Sequence, residues 1–345
     1  MRFEKKHLDD IKRCYCASHM DIDDETIVFF ASEDPESTAK AYYGENFEKS
    51  EYLWNDRGGC MSIIPFATRK GEFLAVNEFY LKVSPSHAKL VWGKKTEEGY
   101  EVKDVMNLPY LHRFDIYHVN GKDYFIGATI ARDKCEKNDW TRPGQIYVGE
   151  VPADPATDHI VLRQIGDGYF HNHGYSRGTK DGKVCGYFGS DQGIVRVTPP
   201  YAEGEDWKVE KIMDGRISEI ALCDLDNDGN DEIMTIEPFH GNTIKIYHVN
   251  GNGEYEEVWK YENEIDFAHA LVGTTLNGVK SFVAGVRRID CELFTVQYVD
   301  GKYVVEYVEK GVGPANIDVI HTKNGDYILS ANHTMNEAAI YKVME

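Results

Sequence analysis

Short apolar stretches alternate with polar turns along the whole chain. The stretches are rich in Val, Ile, Tyr and Phe, and no long segment shows the spacing of an amphipathic helix. Six of the turns share a two-residue form with glycine second, which suits a tight hairpin because both central positions accept positive φ. These turns are Lys70-Gly71, Asn120-Gly121, Asp181-Gly182, Asp228-Gly229, Asn277-Gly278 and Asn324-Gly325. The pattern predicts an all-β protein built from hairpins.

The turns recur at an interval of about fifty residues, which is typical of four-stranded propeller blades. One interval before Gly71 lies Asp23-Asp24, a turn without glycine. We therefore predict one domain over 1–345, a seven-bladed β-propeller whose short last blade is completed by pairing the N- and C-terminal strands. The predicted blades are 11–57, 58–109, 110–168, 169–215, 216–264, 265–311 and 312–345 plus 1–10. The alternative is a six-bladed ring with an N-terminal extension.

Composition limits the classes of partner. Charged residues make up 28% of the chain and the formal net charge is −20, so we expect no nucleic acid or anionic membrane as a partner. No apolar run reaches membrane-spanning length, and residues 1–15 lack the apolar core of a signal peptide. The seven cysteines form no CxxC motif, which favours free thiols and a cytoplasmic location. The oligomeric state does not follow from the sequence.

One turn carries a candidate metal site. Residues 224–232 read Asp-Leu-Asp-Asn-Asp-Gly-Asn-Asp-Glu, with oxygen ligands at alternate positions around a glycine bend. Such a loop suits a hard cation such as Ca²⁺, although an EF-hand would need a glutamate where this chain has Thr235. The candidate ligands are Asp224, Asp226, Asp228, Asn230 and Glu232. The alternative is an acidic turn that holds no ion.

The stretch from Ile220 to Ile236, which contains this loop, resembles the FG-GAP/VCBS family of propeller repeats. The likeness is confined to one blade, because the other blades keep the turn but lack its acidic residues. It implies a structural Ca²⁺ that clamps a hairpin. On either interpretation we do not expect the loop to be the active site.

Histidines occupy matching positions in several predicted blades. In a propeller, the start of each innermost strand and the end of each second strand meet at one mouth of the central channel. Nine residues before the turn glycine, or the equivalent in the blade with the longer acidic loop, stand His112, His173, Glu219, His269 and Asn316. The second strands of blades five and seven end at or near His240 and His333, and that of blade six ends at Arg287 and Arg288. Residues that are distant in sequence are therefore predicted to share one funnel.

Several imidazoles in one funnel suit a divalent transition metal, and Mn²⁺, Zn²⁺ and Fe²⁺ are all compatible with the ligand type. The favoured ligands are His173, His240, His269 and His333. The alternative is that these histidines line the channel and hydrogen-bond trapped water. The remaining histidines, His248 among them, are expected to be ordinary polar side chains of turns and outer strands.

The other funnel residues are assigned to substrate and proton transfer. Arg288 suits a carboxylate, because a guanidinium binds one with two hydrogen bonds. A free His112 or Tyr175 would serve as the base. The expected substrate contacts are His171, Glu219, Asn316 and Tyr110. No GxSxG, HExxH, phosphate-binding or dinucleotide-binding motif is present, which argues against the corresponding hydrolases, proteases, kinases and dehydrogenases.

The layout of His112, His173, His240, His269 and His333 on a seven-fold repeat resembles that of propeller sugar lyases, namely oligogalacturonate lyases and aldos-2-ulose dehydratases. The resemblance implies metal-dependent β-elimination on a small saccharide that contains a uronate or a keto sugar. A non-enzymatic propeller that binds a glycan or a protein is the competing class. A metal-dependent sugar isomerase or epimerase is the third, since it shares the chemistry of proton abstraction next to a carbonyl.

Overall fold

The computed structural model describes residues 1–80 and 85–344. These residues form strands joined by turns, with one short 3-10 turn at Pro85–His87. In chain order the strands are β1 (Arg2–Asp10), β2 (Cys14–Ile22), β3 (Glu25–Ser32), β4 (Ala39–Tyr43), β5 (Lys49–Trp54), β6 (Ile63–Pro65), β7 (Glu72–Asn77), β8 (Lys89–Thr96), β9 (Gly99–Asn107), β10 (Leu111–Val119), β11 (Lys122–Thr129), β12 (Gly144–Glu150), β13 (Arg163–Tyr169), β14 (Gly174–Lys180), β15 (Lys183–Ser190), β16 (Gly193–Thr198), β17 (Lys208–Met213), β18 (Glu219–Cys223), β19 (Glu232–Glu237), β20 (Thr243–Val249), β21 (Tyr255–Lys260), β22 (Asp266–Leu276), β23 (Val279–Arg288), β24 (Leu293–Val299), β25 (Lys302–Glu309), β26 (Pro314–Thr322), β27 (Gly325–Asn332) and β28 (Glu337–Met344). Within the described ranges, helices long and apolar enough to span a membrane are absent.

The described strands form seven antiparallel four-stranded sheets, numbered here as blades 1 to 7. Blades 1 to 6 are β2–β5, β6–β9, β10–β13, β14–β17, β18–β21 and β22–β25. Blade 7 contains β26, β27 and β28 and takes β1 as its outer strand. The pairing of β1 with β28 runs from Arg2 opposite Met344 to Asp10 opposite Glu337. The predicted seven-bladed propeller, closed by the two chain ends, is confirmed, and the six-bladed alternative is wrong.

The innermost strands of successive blades contact one another around the ring and enclose the central channel. They are β2, β6, β10, β14, β18, β22 and β26. Each enters from the same face of the ring, because each blade repeats the same strand order. The starts of these strands and the ends of the second strands therefore meet at one mouth, as the sequence predicts.

Three of the six predicted glycine turns, those of blades 3, 4 and 6, adopt the tight two-residue form. In blades 2 and 5 the link between the first two strands is longer, from Phe66 to Glu72 and from Cys223 to Glu232. Asn120 and Gly121 both adopt positive φ, 51° and 77°, and Asp181 and Gly182 do the same at 53° and 72°. Two successive positive φ angles define the mirror-image hairpin turn that matches the twist of the flanking strands. The local sequence therefore accounts for the tight link between the first two strands of these blades.

The turn of blade 7 is shifted by one residue relative to those of blades 3, 4 and 6. Thr322 pairs with Gly325, so the two turn residues are Lys323 and Asn324 and the glycine already belongs to β27. Counting back from this glycine therefore reaches a position one residue too far along the inner strand. This shift matters for the site, because neighbouring residues of an inner strand lie at different levels of the channel.

The second strand of each blade is buried on both faces, and its consecutive side chains pack against two different neighbouring blades. In β3, Phe29 packs with Phe73 of blade 2, at a ring distance of 5.8 Å. The adjacent Phe30 packs on Leu329 of blade 7. Burial of each phenyl ring stabilises the fold by roughly 2–3 kcal/mol. Successive side chains of one strand thus pack against the blades on either side of it. This packing holds neighbouring blades together around the channel.

Candidate functional site

A cavity of about 470 Å³ opens at the mouth where the inner strands begin. Its walls come from the starts of inner strands, the ends of second strands and the loop between β11 and β12. The lining residues central to the site are Tyr15, His112, Phe239, His240, His269 and Arg287. The predicted meeting of histidines from separate blades is therefore observed at this mouth.

Local irregularities in the inner strands turn the side chains at this level into the channel. The ladders of blades 1, 3 and 6 each skip one residue, at Tyr15, His112 and His269 respectively. An unpaired extra residue of this kind is a β-bulge, which bends the strand and redirects a side chain. The ladder of blade 7 skips Ala315 in the same way. Tyr15, His112, His269 and Ala315 are thus structural equivalents in four blades.

Three imidazoles converge at the base of the cavity. His173, His240 and His269 each offer one ring nitrogen, and these nitrogens lie within 4.8 Å of one another. Nε2 of His240 is 3.3 Å from Nε2 of His173. Two nitrogens that bind one tetrahedral ion at ~2.05 Å are about 3.3 Å apart. The spacing therefore fits a divalent metal held by three imidazoles.

Backbone carbonyls of neighbouring blades orient two of these rings. Nδ1 of His173 lies 3.0 Å from the carbonyl oxygen of Ser218, and Nδ1 of His269 lies 2.6 Å from that of Ala315. Because a carbonyl only accepts hydrogen bonds, Nδ1 carries the proton in both rings. Each Nε2 is left with a free lone pair that faces the group, which is the arrangement that metal-binding histidines commonly show.

His240 enters the group from the loop after β19. Its backbone N–H donates to Ser218 Oγ at 3.0 Å, and its ring stacks between Phe239 and Phe267. The bend depends on Gly241, since a Cβ there would lie 2.2 Å from the carbonyl oxygen of Glu237. The loop therefore fixes His240 above Ser218, the small residue that stands in blade 5 where blade 4 has His173.

The imidazoles are held in the neutral form that binds metals. Burial lowers the pKa values of His112, His173 and His269 well below the ordinary value, and the nearby imidazoles and Arg113 lower them further. Burial and the adjacent Arg287 lower the pKa of His240 to about 3. Protons therefore do not compete for these nitrogens near neutral pH.

Tyr15 and His112 stand beside the group. The Tyr15 hydroxyl lies 3.4 Å from Nε2 of His112 and 3.4 Å from Nε2 of His269. His112 stacks on His173 at a ring distance of 4.4 Å, and its Nδ1 is buried without a partner among the described residues. A metal that takes the His269 lone pair would leave His112 as the acceptor for the hydroxyl. The two side chains then form a proton-exchanging pair.

The structure brings together three of the four predicted metal ligands but not His333. The His333 ring lies at the rim, with Nε2 2.7 Å from Glu33 Oε1 and Nδ1 2.7 Å from Nη2 of Arg287. Glu33 also pairs with Arg13. The physical reason is that Glu33 and Arg287 hold the His333 ring at the rim, whereas the bend at Gly241 and the bond to Ser218 Oγ bring His240 to the level of the imidazoles.

Two adjacent arginines line the cavity, and they differ in whether a carboxylate neutralises their charge. Arg288 is exposed and pairs with Asp266 at 3.0 Å. Arg287 contacts His333 and the face of Phe267, and no carboxylate of residues 1–80 or 85–344 forms a salt bridge with it. Burial lowers the pKa of Arg287 to about 10. Arg287 is thus the better candidate than Arg288 for an anionic group.

An aromatic wall flanks the cavity. Trp140, from the loop between β11 and β12, packs on Phe239 at 5.2 Å, and His171 stacks on Phe239 at 4.5 Å. His171 is itself held by Asp191 at 2.9 Å, behind the wall. Tyr110 lies below the same loop, where its hydroxyl accepts from the backbone N–H of Lys134 at 3.1 Å. Of the residues assigned to substrate, His171 and Tyr110 therefore support the wall and do not line the cavity.

Tyr175, Glu219 and Asn316 line a separate cavity of about 230 Å³ below the imidazoles. Glu219 is adjacent to the group, with Oε2 3.6 Å from Nδ1 of His173. The expectation that they stand at the funnel mouth is therefore corrected. In blades 5 and 7, the positions equivalent to His173 and His112 are Ser218 and Ala315, each one residue earlier.

Each of these displaced side chains has a partner in the lower channel. Glu219 accepts from Arg113 at 2.8 Å, and Asn316 contacts the same guanidinium at 3.3 Å. The Tyr175 hydroxyl donates to Asp115 at 2.5 Å. These contacts join blades 3, 4, 5 and 7 below the imidazoles, so the predicted catalytic role of Tyr175 at the funnel has no geometric support.

The acidic loop lies between β18 and β19, at the end of blade 5 away from the funnel. Asp224, Asp226 and Asp228 are grouped, with one carboxylate oxygen of each within 4.8 Å of the others. The Asn230 amide nitrogen donates to Asp228 at 3.1 Å, and Glu232 is buried at the start of β19. The loop is thus a second group of candidate ligands, remote from the cavity.

No protein-family model matches the chain, and neither does any curated protein. Among solved structures, it is similar to a chain of the mitotic checkpoint complex at 7% identity and a TM-score of 0.63, covering 99% of this chain and 91% of that one. It is also similar to a Bacteroides fragilis protein described as a "putative 6-phosphogluconolactonase", at 15% identity, a TM-score of 0.54 and coverages of 92% and 86%. The Dos1 propeller is similar at 6% identity and 0.55, with coverages of 92% and 74%. These likenesses show the fold alone.

Three features of the site escape the sequence patterns. Tyr15 was missed because the turn of blade 1 lacks the glycine from which the other positions are counted. The same count from Asp24, the second residue of that turn, would have found it. Arg287 and Arg288 are adjacent, and the sequence does not show which of them pairs with a carboxylate. Only the structure shows that Asp266 pairs with Arg288. Trp140 stands in an insertion, for which a repeat gives no reference position.

Proposed function

We propose that the protein is a metal-dependent carbon–oxygen lyase that acts on a small carboxylate-bearing saccharide in the cytoplasm. The observation that carries the proposal is the convergence of His173, His240 and His269 at the base of a cavity whose wall holds an uncompensated Arg287. Neutral imidazoles suit a metal, and a guanidinium without a salt bridge to any described carboxylate suits an anion. The two together favour a substrate that is negatively charged and reacts beside its charge.

The charge of the cavity supports an anionic substrate. The whole chain carries a net charge of −20, yet the cavity is lined by Arg13, Lys137, Arg287 and Arg288 against one acidic residue, Glu33. Arg13 pairs with Glu33 and Asp34, and Arg288 pairs with Asp266, so the excess positive charge comes from Lys137 and Arg287. A local excess of positive charge inside an acidic protein attracts anions to that cavity. A carboxylate on Arg287 would gain charge-assisted hydrogen bonds in a partly desolvated place.

The aromatic wall supports a sugar ring. Trp140, Phe239 and Phe267 line the cavity beside the imidazoles, and faces of this kind pack against the C–H surface of a pyranose. The wall lies beside the metal group, since His240 stacks on both phenyl rings at 3.9 and 4.4 Å. A ring held there has its polar edge toward His240 and Arg287.

A divalent ion on the three imidazoles would supply Lewis-acid withdrawal of charge from a carboxylate or carbonyl oxygen. The protein's own residues then handle the proton. Tyr15 and His112 are positioned to remove the proton on the carbon next to that group and to return it to the departing oxygen. One C–H and one C–O bond break, one C=C bond forms, and neither water nor a redox partner is consumed.

A sugar isomerase or epimerase is the second candidate, because the same residues would return the proton to carbon. A non-enzymatic glycan-binding propeller is the third, and the aromatic wall alone would suffice for it. The buried, neutral and oriented state of the imidazoles favours an enzyme over a binding module. Simple carbohydrate contacts have no need of three converging lone pairs.

The deciding experiment combines elemental analysis with an activity screen. Purified protein is expected to carry a divalent transition metal, with Mn²⁺, Zn²⁺ and Fe²⁺ as the candidates. It should also form unsaturated products from uronate or keto-sugar glycosides, as measured by ultraviolet absorbance. His173→Ala and His269→Ala should lose both metal and activity. His321→Ala, at the exposed end of β26 where the imidazole pairs with Asp326, is the matched control and should keep both.

Each outcome separates the candidates. Unchanged metal content in both funnel variants would contradict the metal assignment. Metal without an unsaturated product, but with exchange of a substrate proton for deuterium, would favour the isomerase. Turnover of a sugar lactone by hydrolysis would replace elimination with a different reaction at the same site. Binding of a saccharide without turnover would favour the glycan-binding module.

A further inference from the structure

A second cluster of candidate ligands lies at the opposite end of blade 5 from the funnel. Asp226, Glu232 and His248 each offer one ligand atom, and these atoms lie within 4.8 Å of one another. Asp226 comes from the acidic loop, Glu232 opens β19 and His248 stands near the end of β20. The imidazole was expected to be an ordinary side chain, and the structure instead brings it onto the loop.

The surroundings of the Glu232 carboxylate point to a bound cation. Its side chain is fully buried, at 0% exposure. Oε2 accepts a hydrogen bond from the backbone N–H of Leu225 at 2.7 Å, but Oε1 is buried and receives none from any described residue. Burial raises the pKa of this carboxyl to about 7. A buried carboxylate oxygen without a partner is costly, and a bound cation would compensate for it.

The loop's own contacts disfavour an oxygen-only calcium site. Asp224, the first residue of the predicted Ca²⁺ set, already binds the ammonium of Lys280 at 2.6 Å, and its other oxygen accepts from Gly229 N–H at 3.3 Å. The imidazole, by contrast, faces the loop, with Nε2 3.2 Å from Asp228 Oδ2 and 3.9 Å from Asp226 Oδ2. The protein's own cation thus occupies one end of the loop, and a nitrogen donor stands at the other.

We propose that Asp226, Glu232 and His248 bind a divalent transition cation of the Zn²⁺ class, separate from the funnel metal. Ca²⁺ takes six to eight oxygen ligands, whereas one imidazole and two carboxylates suit Zn²⁺. The ion would tie the loop of blade 5 to its third strand and hold the start of β19. The proposal does not depend on the proposed reaction, because neither the ligands nor the cavity is shared.

The test uses the full-length protein, stripped with a chelator and titrated separately with Zn²⁺ and Ca²⁺. Glu232→Gln and His248→Ala should each bind one Zn²⁺ fewer than the wild type while retaining the funnel ion. Residual affinity at the loop should fall by more than about 100-fold, because even residues that only support ligands are worth about 10–100-fold. His173→Ala should lose the other ion and keep this one.

Asp224→Asn is the control that separates the two metal classes, since Asp224 belongs to the predicted Ca²⁺ set but not to the proposed one. It should leave Zn²⁺ binding unchanged. Ca²⁺ binding that Asp224→Asn abolishes and His248→Ala spares would overturn the proposal, and so would a loop that binds neither ion. Thermal unfolding of the stripped variants shows whether they fold, and Glu232→Gln is expected to be at least as stable as the stripped wild type.

Discussion

Both ends of the central channel contain arginine side chains, but the two ends differ in whether carboxylates neutralise these arginines. Below the imidazoles, Arg113 pairs with Glu219 at 2.8 Å and Arg177 pairs with Asp115 at 2.6 Å. At the funnel, Arg287 is half-buried against an aromatic ring and forms no salt bridge with a described carboxylate. A charge that the protein itself neutralises serves the fold, whereas one left without a counter-ion is available to a ligand. The contrast predicts which arginine changes alter stability and which alter binding.

The largest effect is expected for Arg113→Met, at the compensated end. It leaves the buried Glu219 carboxylate without its guanidinium, and breaking one partner of a buried pair costs about 3–5 kcal/mol. Urea unfolding should show this loss of free energy of unfolding. The double variant Arg113→Met/Glu219→Met should recover most of it. A single variant as stable as the wild type would remove the distinction between the two ends.

Tyr15→Phe tests the proton-handling pair at the other end. Loss of the hydroxyl that lies between His112 and His269 should lower kcat by about 100-fold, the usual scale for a general acid or base. Metal content and the free energy of unfolding should stay near the wild-type values, because the ring remains. A fall in bound metal would instead identify Tyr15 as a metal ligand.

Arg287→Gln should weaken the binding of a carboxylate substrate by about tenfold or more, the loss expected for a charge-assisted hydrogen bond. The effect should appear in KM, with stability unchanged or increased, because a buried charge without a carboxylate partner is removed. Arg288→Gln is the matched variant and should change KM less, since Asp266 already compensates that guanidinium. Equal effects of the two changes on KM would contradict the assignment of Arg287 as the arginine that binds the carboxylate.

The smallest effect is expected for His19→Asn, which breaks the pair between His19 and Asp318 beside the lower channel, at 2.6 Å. Burial lowers the pKa of His19, but the carboxylates of Asp318 and Asp21 raise it by more, so the net pKa lies above the ordinary value of 6.5. The pair therefore stabilises the fold fully below pH 6.5, and that contribution disappears as the pH rises through the folded-state pKa.

The variant should accordingly lose about 0.5 kcal/mol at pH 5.5 and almost nothing at pH 9, a small value because the imidazole is about one third exposed. Chemical denaturation at the two pH values measures the difference. Asp318→Asn should show the same trend from the partner side. A loss that grows toward alkaline pH would show that the pair does not titrate in this way.

Much of the fold could be predicted because its signals are local. A turn such as Asn120-Gly121 selects a hairpin through the φ angles of two residues, and repetition of that turn implies a ring. The closing strand was predictable as well, since the last repeat is one strand short and residues 1–10 were available to supply it. None of these inferences needs a contact between residues far apart.

The site could be predicted only in part, because counting along a repeat locates a strand position but not its level in the channel. The count finds His112, His173 and His269, whose turns have the same length. The count gives Asn316 and Glu219 in the other two blades, each one residue beyond the equivalent positions, Ala315 and Ser218. In one of these blades the turn begins earlier, and the other contains the acidic loop. One residue along an inner strand separates a side chain that faces the funnel from one that faces the lower cavity, although the two remain close: Glu219 Oε2 lies 3.6 Å from His173 Nδ1.

The sequence by itself determined the seven-bladed ring, its closure and the blades that contribute histidines, because hairpin turns and apolar alternation act over a few residues. Tertiary structure alone decided that His240 joins His173 and His269 while His333 does not. It also decided that Arg288 pairs with Asp266, while Arg287 forms no salt bridge within residues 1–80 and 85–344. Those outcomes depend on which side chains of different blades face each other across a few ångströms. Such distances are set by the packing of the whole ring.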